Sequence, residues 1–220
     1  MSTVGFIGSG NVGQALARAV IGLGHEVIMS NSRGPSTLSA LIGVLGQQAR
    51  AGSAAEVIEQ ADIVVLAIPF TSINQLPAAP MKGKVIVDAT NYWAPRDGHI
   101  AVIDSGDTTS SEMVAERLPG ARIVKAFNSM IAAEIYQHAR PSGGAKRRAI
   151  PIAGDDPRSK EIVAALIDEI GFDVVDLGPL PAGQVIDPRD AWERPLGAIE
   201  TETLMKTRLT RLTKRSVRSE

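Results

Sequence analysis

The segment Gly8-Ser9-Gly10-Asn11-Val12-Gly13 constrains this chain more than any other. It lies between a short apolar run, Thr3 to Gly8, and a stretch that puts Val12, Leu16 and Val20 on one face of a helix. The order is strand, tight turn, helix. Gly24 then stops the helix, and Glu26 to Met29 reads as a second strand running into the polar loop Ser30 to Pro35, so a βαβ unit closes within about 30 residues. A glycine triplet alone says little, because glycines are common in turns. Placed between strand and helix, the three glycines have distinct roles. Gly8 permits the turn, Gly10 lets backbone approach a diphosphate, and Gly13 lets helix and strand pack closely. The first-turn amides and the helix dipole then favour an anion.

The alternation continues, and its rhythm predicts an α/β fold, a Rossmann-type doubly wound parallel sheet. Helices are expected near Ser36 to Leu45, Ala54 to Gln60, Ser111 to Leu118 and Met130 to His138; strands near Gln48 to Ala51, Ile63 to Ile68, Val85 to Val87 and Ile123 to Ala126. Ile63 to Ile68 is continuously apolar, as a parallel strand covered on both faces should be. Beyond the loop Pro141 to Gly144 comes a second strand, helix, strand series at Ala149 to Ala153, Pro157 to Ile170 and Asp173 to Asp176, which extends the sheet or makes a small cap. Gly178 to Pro195 reads as irregular chain. The expected organisation is a dinucleotide-binding domain over 1–140 and a small C-terminal α/β extension with a terminal helix over 141–220, packed on the same domain.

Composition narrows the partners. A formal net charge of −1 gives no reason to expect a nucleic-acid partner, and no run reaches the roughly 18 apolar residues of a membrane span. With no cysteine, disulfides and thiolate chemistry are excluded. The opening residues lack the pattern of a secretory leader, so a soluble, cytoplasmic protein is expected. In the basic stretch Lys206 to Arg218, Met205, Leu209 and Leu212 fall at helical spacing, which suits a terminal helix with a solvated basic face.

The dinucleotide is read at the end of the second strand. A chain preferring NAD places an acid there for the ribose 2′-hydroxyl; this one has Ser30-Asn31-Ser32-Arg33, with Glu26 at the wrong end of the strand. Arg33 suits a 2′-phosphate that a carboxylate would repel, so NADP(H) is the expected cofactor. The nicotinamide should lie outside the carboxyl ends of the strands, near Ile68 and Pro69, Asn91, and Ala126 and Asn128, with both asparagines as candidate contacts for ribose or carboxamide. His25, His99 and His138 show neither metal spacing nor a triad arrangement, and no general acid or base stands out. Hydride exchange between two organic cofactors needs positioning more than a protein proton donor.

At these residues the sequence resembles the NADP-dependent reductases that exchange hydride with the deazaflavin coenzyme F-420, and the related reductase domains of membrane ferric reductases. The likeness rests on the glycine turn, Ser32-Arg33, Ile68-Pro69, Val124 to Asn128, Pro151 to Asp156, and Gly171-Phe172 leading to Asp176 through Leu180. It implies a homodimer passing hydride between NADPH and a small-molecule acceptor, most of all the deazaflavin or a flavin. It also implies that Ser9 to Val12 contact the pyrophosphate, Ser32 and Arg33 the 2′-phosphate, and Ile68, Pro69 and Ala126 the nicotinamide end. Asn128 departs from the histidine of the archaeal deazaflavin enzymes and agrees with the ferric reductase domains. A flavin or ferric reductase, a non-catalytic NADPH sensor and a carbonyl or imine reductase are the competing readings.

Overall fold

A computed structural model describes residues 1–187 and 202–206 of the chain. Its first half is β1 (Thr3–Ile7), α1 (Asn11–Gly22), β2 (Glu26–Ser30), α2 (Ser39–Leu45), β3 (Ala49–Ala51), α3 (Ala54–Gln60), β4 (Ile63–Leu66) and β5 (Val85–Asp88). Two short helices, α4 (Ala94–Asp97) and α5 (Ala101–Asp104), precede α6 (Ser110–Arg117), β6 (Arg122–Lys125) and α7 (Ala132–His138). The series ends with β7 (Ala149–Gly154), α8 (Pro157–Ile170) and β8 (Asp173–Asp176). The strands form one eight-stranded sheet in the order β3-β2-β1-β4-β5-β6-β7-β8.

Residues of one strand point alternately to opposite faces, and both faces are covered. Val4, Phe6, Val27, Met29, Val65 and Val87 pack with α1, α7 and α8 through Leu16, Val20, Ile135 and Val163. Ile28, Val64, Leu66 and Ile86 pack on the other side with α3 and α6 through Val57, Ile58, Val114 and Leu118. Burial on both faces is why these strands read as unbroken apolar runs rather than as alternating ones.

Three expectations need correction. The sheet is parallel only through β6: β7 runs antiparallel to it, pairing Val124 with Gly154 and Lys125 with Ala153, while β8 runs parallel to β7. The strand expected over Ile63 to Ile68 stops at Leu66, because its neighbour β1 ends at Ile7 and turns away at Gly8. The stretch from Gly178 is not irregular throughout: Leu180–Ile186 is a 3-10 helix with Pro181 in its first turn, where a ring-fixed φ is favourable and no amide is missed. That helix packs on β6, β7 and α6. Positions 188–195 of the stretch lie outside the described residues, as does the basic tail after Lys206, Leu209 and Leu212 included. Met205 is buried with Ala149, Val175 and Ile186.

Candidate dinucleotide site

The glycine turn is built as a cradle. Gly8 adopts φ +112° and a Cβ there would stand 2.2 Å from the Ala67 carbonyl oxygen; one on Gly13 would stand 2.3 Å from the Gly8 carbonyl oxygen. Gly8 and Gly13 are therefore fixed by contacts within the protein. Gly10 differs, since a Cβ there meets nothing within 4 Å. It is the N-cap of α1, with extended backbone, no side-chain cap and no acid in the first turn. A helix start without an internal anion or cap leaves its amides available to an external one. Ser9, Asn11 and Val12 flank Gly10 at this opening, with Asn11 exposed and Ser9 and Val12 half-buried. Gln14 folds back so that its Nε2 donates to the Ser9 carbonyl at 2.8 Å, which steadies the turn.

The adenosine-side loop is tied to the cradle. The Gly8 amide donates to the Ser30 carbonyl at 3.0 Å, and the buried Ser30 hydroxyl donates to the Phe6 carbonyl. Asn31 shapes the loop from within: its Oδ1 accepts the Arg33 amide at 3.0 Å and its Nδ2 donates to Thr37 Oγ1 at 2.9 Å. Ser32 and Arg33 are exposed, and the Arg33 guanidinium has no hydrogen bond or ion pair among the described residues. Glu26 pairs in register with Thr3 at the far end of the strand.

At the nicotinamide end, Ile68 abuts the cradle, its Cγ2 lying 2.9 Å from the place of a Gly8 Cβ, and Pro69 is exposed where the chain leaves β4. Asn91 and Asn128 are brought together, as their strand ends suggested, but they face each other. Asn91 Nδ2 donates to the Asn128 carbonyl at 2.8 Å, and Asn128 Nδ2 donates to Asn91 Oδ1 at 3.1 Å and to the Ile186 carbonyl at 2.8 Å. Asn128 is 6% exposed, with its Oδ1 enclosed and unpartnered, and Ala126 is fully buried with its amide on the Asp88 carbonyl. These two residues support the strand ends from beneath rather than line an open surface. Phe127, between them, holds φ +63°, a conformation that a bulky side chain adopts only where surrounding packing imposes it.

Sequence reasoning missed a buried ionic cluster at the same end of the sheet. Lys125, fully enclosed, reaches Asp187 at 2.9 Å and Asp88 at 3.7 Å, and donates to Ser110 Oγ at 3.0 Å. Asp88 also accepts from Thr90 and Ser111, and Asp187 accepts from the Ser110 amide at 3.2 Å and hydroxyl at 2.9 Å. Burial pulls the Lys125 pKa down, but Asp187 and Asp88 outweigh it and hold the ammonium above its ordinary value. Lys125 is thus charged at neutral pH. An ionisable residue in an apolar strand was the only signal, and its partners come from three other segments. The histidines sit elsewhere: His25 takes the Ser2 amide and meets Glu169 at 3.0 Å, His99 meets Asp104 at 3.0 Å, and His138 meets Arg148 at 3.0 Å.

A glycine cradle at the first strand-to-helix turn of a doubly wound sheet defines a dinucleotide-binding protein of the Rossmann class. Comparison with known proteins takes the assignment further. Residues 3–92 match the family described as NADP oxidoreductase coenzyme F420-dependent. The chain is 36% identical to the hypothetical protein SMa0349 of Sinorhizobium meliloti, covering 90% of this chain and 94% of that one with a TM-score of 0.74. It is 25% identical to an Arthrobacter sp. protein described as an F420-dependent NADP reductase, covering 84% and 88% with a TM-score of 0.72. It is also 31% identical over 188 residues to the rat (Rattus norvegicus) metalloreductase STEAP3, of whose length it spans 35%. The chain belongs to this NADP oxidoreductase family. No helix among the described residues is long and apolar enough to cross a membrane.

Proposed function

We propose that this protein moves a hydride between NADP(H) and a flavin-type acceptor, the deazaflavin coenzyme first among them. The observation that carries the reading is the pairing of an open cradle at Gly10 with a guanidinium at Arg33 that has no partner among the described residues, joined by the bond from Gly8 to Ser30. The residues present fit the cofactor: the void at Gly10 is where backbone must stand clear of a diphosphate, and no carboxylate stands at the end of β2 to oppose a 2′-phosphate. In this reading the first-turn amides of α1 hold the pyrophosphate and Ser32 and Arg33 hold the 2′-phosphate. Ile68, Pro69 and Asn91 bound the nicotinamide end, with Ala126 and Asn128 fixing the strand ends below. When bound, NADPH would supply the hydride, and a ring acceptor would take one proton from solvent to complete its reduction. Charged Lys125 holds the protein groups around that end in place.

The family description and the Arthrobacter relative support the deazaflavin as acceptor. The likeness to a metalloreductase supports a flavin or ferric chelate. NADPH oxidation followed at the nicotinamide absorbance with deazaflavin, FMN, FAD, riboflavin and ferric chelates separates them, and no turnover with any would defeat the reading. Arg33→Ala should raise the dissociation constant for NADPH about tenfold or more, since a charged hydrogen bond is worth roughly 1.5–3 kcal/mol, and leave NADH nearly unchanged. Equal losses for both nucleotides would remove Arg33 from the 2′-phosphate.

A further inference from the structure

A cleft of about 290 Å³ opens beside the nicotinamide end, between the chain from Tyr92 to Thr108 and the 3-10 helix Leu180–Ile186. We infer that it is a binding site for the acceptor and that it takes an uncharged group rich in hydroxyl or imide functions, the ring and polyol of a flavin-type molecule rather than its phosphate. The ligand's name rests on the hydride-transfer reading; the site and its charge preference do not.

Position comes first. Tyr92 follows Asn91, and Asp187 is fastened to Lys125, the residue before Ala126, so both walls start from the carboxyl ends of β5 and β6. Ligands of open α/β sheets collect outside those ends. The walls are also firm. Tyr92 donates its hydroxyl to Asp104 at 2.8 Å and accepts the Ile100 amide at 3.0 Å, while Asp187 is held by Lys125 and by both Ser110 donors. The 3-10 helix is held at its end by Asn128 on the Ile186 carbonyl.

Chemistry decides what such a cleft accepts. Two carboxylates, Asp104 and Asp187, line it, and among the described residues no lysine or arginine does. Asp104 is kept below the usual carboxylate range by the Tyr92 hydroxyl first and His99 second, so it is ionised at neutral pH and repels a phosphate. Unused hydrogen-bonding capacity lies between them. The Thr108 hydroxyl has no partner among the described residues, and neither has Gln184 Oε1, whose amide is oriented by the Nε2 bond to the Gly106 carbonyl at 2.9 Å. One group that donates and accepts and one that only accepts match hydroxyls and imide N–H groups. Ile103 and the Tyr92 ring supply apolar wall. The volume lies at the lower end of the ~300–1,000 Å³ of small-molecule pockets, room for part of a flavin and too little for a second dinucleotide.

Binding, rather than turnover, tests the site. The full chain, saturated with NADP⁺, is titrated into riboflavin and into FMN and followed by flavin fluorescence. Riboflavin should bind at least fivefold tighter than FMN. Thr108→Phe, which fills the cleft, should weaken riboflavin at least tenfold while the NADPH dissociation constant stays within twofold, and Asp104→Asn should narrow the preference for riboflavin over FMN. Gln184→Leu serves in place of Thr108→Phe if that variant does not fold. FMN binding tighter than riboflavin, no riboflavin binding at all, or a folded cleft variant with unchanged affinity would overturn the proposal. Riboflavin binding that Thr108→Phe abolishes, without NADPH oxidation by any acceptor, would defeat the hydride reading and leave the site standing; turnover indifferent to the cleft variants would do the reverse.

Discussion

At the scale of single residues, three glycines of one turn have separable physical meanings. A methyl on Gly13 would press to 2.3 Å on backbone, whereas a Cβ on Gly10 meets nothing of the protein within 4 Å. Gly13→Ala should therefore destabilise the fold by about 1–3 kcal/mol, the usual result of overpacking a filled site. Gly10→Val should lower the melting temperature by no more than about 4 °C, the loss of a favourable N-cap, and abolish binding of both pyridine nucleotides. Calorimetry paired with nucleotide titration reads the two effects separately, and a Gly10→Val protein that still binds NADPH would sink the cradle. These roles were legible because a glycine spacing encodes steric requirements that are local in sequence. Lys125 was not, because what makes it consequential is the arrival of Asp88, Ser110 and Asp187 from distant parts of the chain. Asn91 and Asn128 stand between: their strand ends were readable, their mutual clasp was not.

At the scale of elements, two ionic clusters fasten pieces that the apolar core alone leaves loosely specified. Lys125→Met removes the cation from between two carboxylates, and breaking a buried pair from one side is worth about 3–5 kcal/mol. Denaturant unfolding should show that loss, and adding Asp187→Leu should restore part of it, since the double change removes an uncompensated charge. A double variant no better than the single would mean that Asp187 is not the principal partner. The second cluster joins the chain just before β7 to the last turn of α8 and the start of β8: Arg147 meets Asp168 at 2.6 Å and Asp173 at 3.0 Å, and also donates to the Asp168 and Phe172 carbonyls. Arg147 first and Ser142 second hold the Asp168 carboxyl below its ordinary range. A carboxyl depressed by folding adds stability that is complete above its unfolded value, about 3.9, and is lost as pH falls through the folded value. The melting-temperature gap between wild type and Asp168→Asn should thus be full at pH 7 and close below about pH 4; a gap that persists to pH 2 would assign it to packing. The spans of α3, α8 and β8 were readable to the residue from periodicity and flanking glycine and proline. The direction of β7 was not, because a strand buried at all six of its positions presents the same apolar run either way.

At the scale of the whole molecule, the glycine turn and the strand–helix rhythm specified the class of fold, while the closing segment of chain is placed by contacts with distant β6, β7 and α6 that its own residues do not announce. The sheet is continuous across eight strands, but its ladders are unequal. β1 pairs with β2 over five residues and β4 with β5 over four, whereas β6 meets β7 over two. In hydrogen exchange under rising denaturant, amides of β7, α8 and β8 such as Ile152, Val163 and Val175 should open together at lower free energy than Phe6 and Val65 in β1 and β4. A single opening energy for all would show that the short ladder is no boundary. The shortness of that ladder also gives the 3-10 helix Leu180–Ile186 a mechanical part, since it lies against β6 and β7 alike and is anchored at its end through Asp187 and Asn128. The two-residue ladder is thus the narrowest seam in the sheet, and this helix is laid across it as a brace.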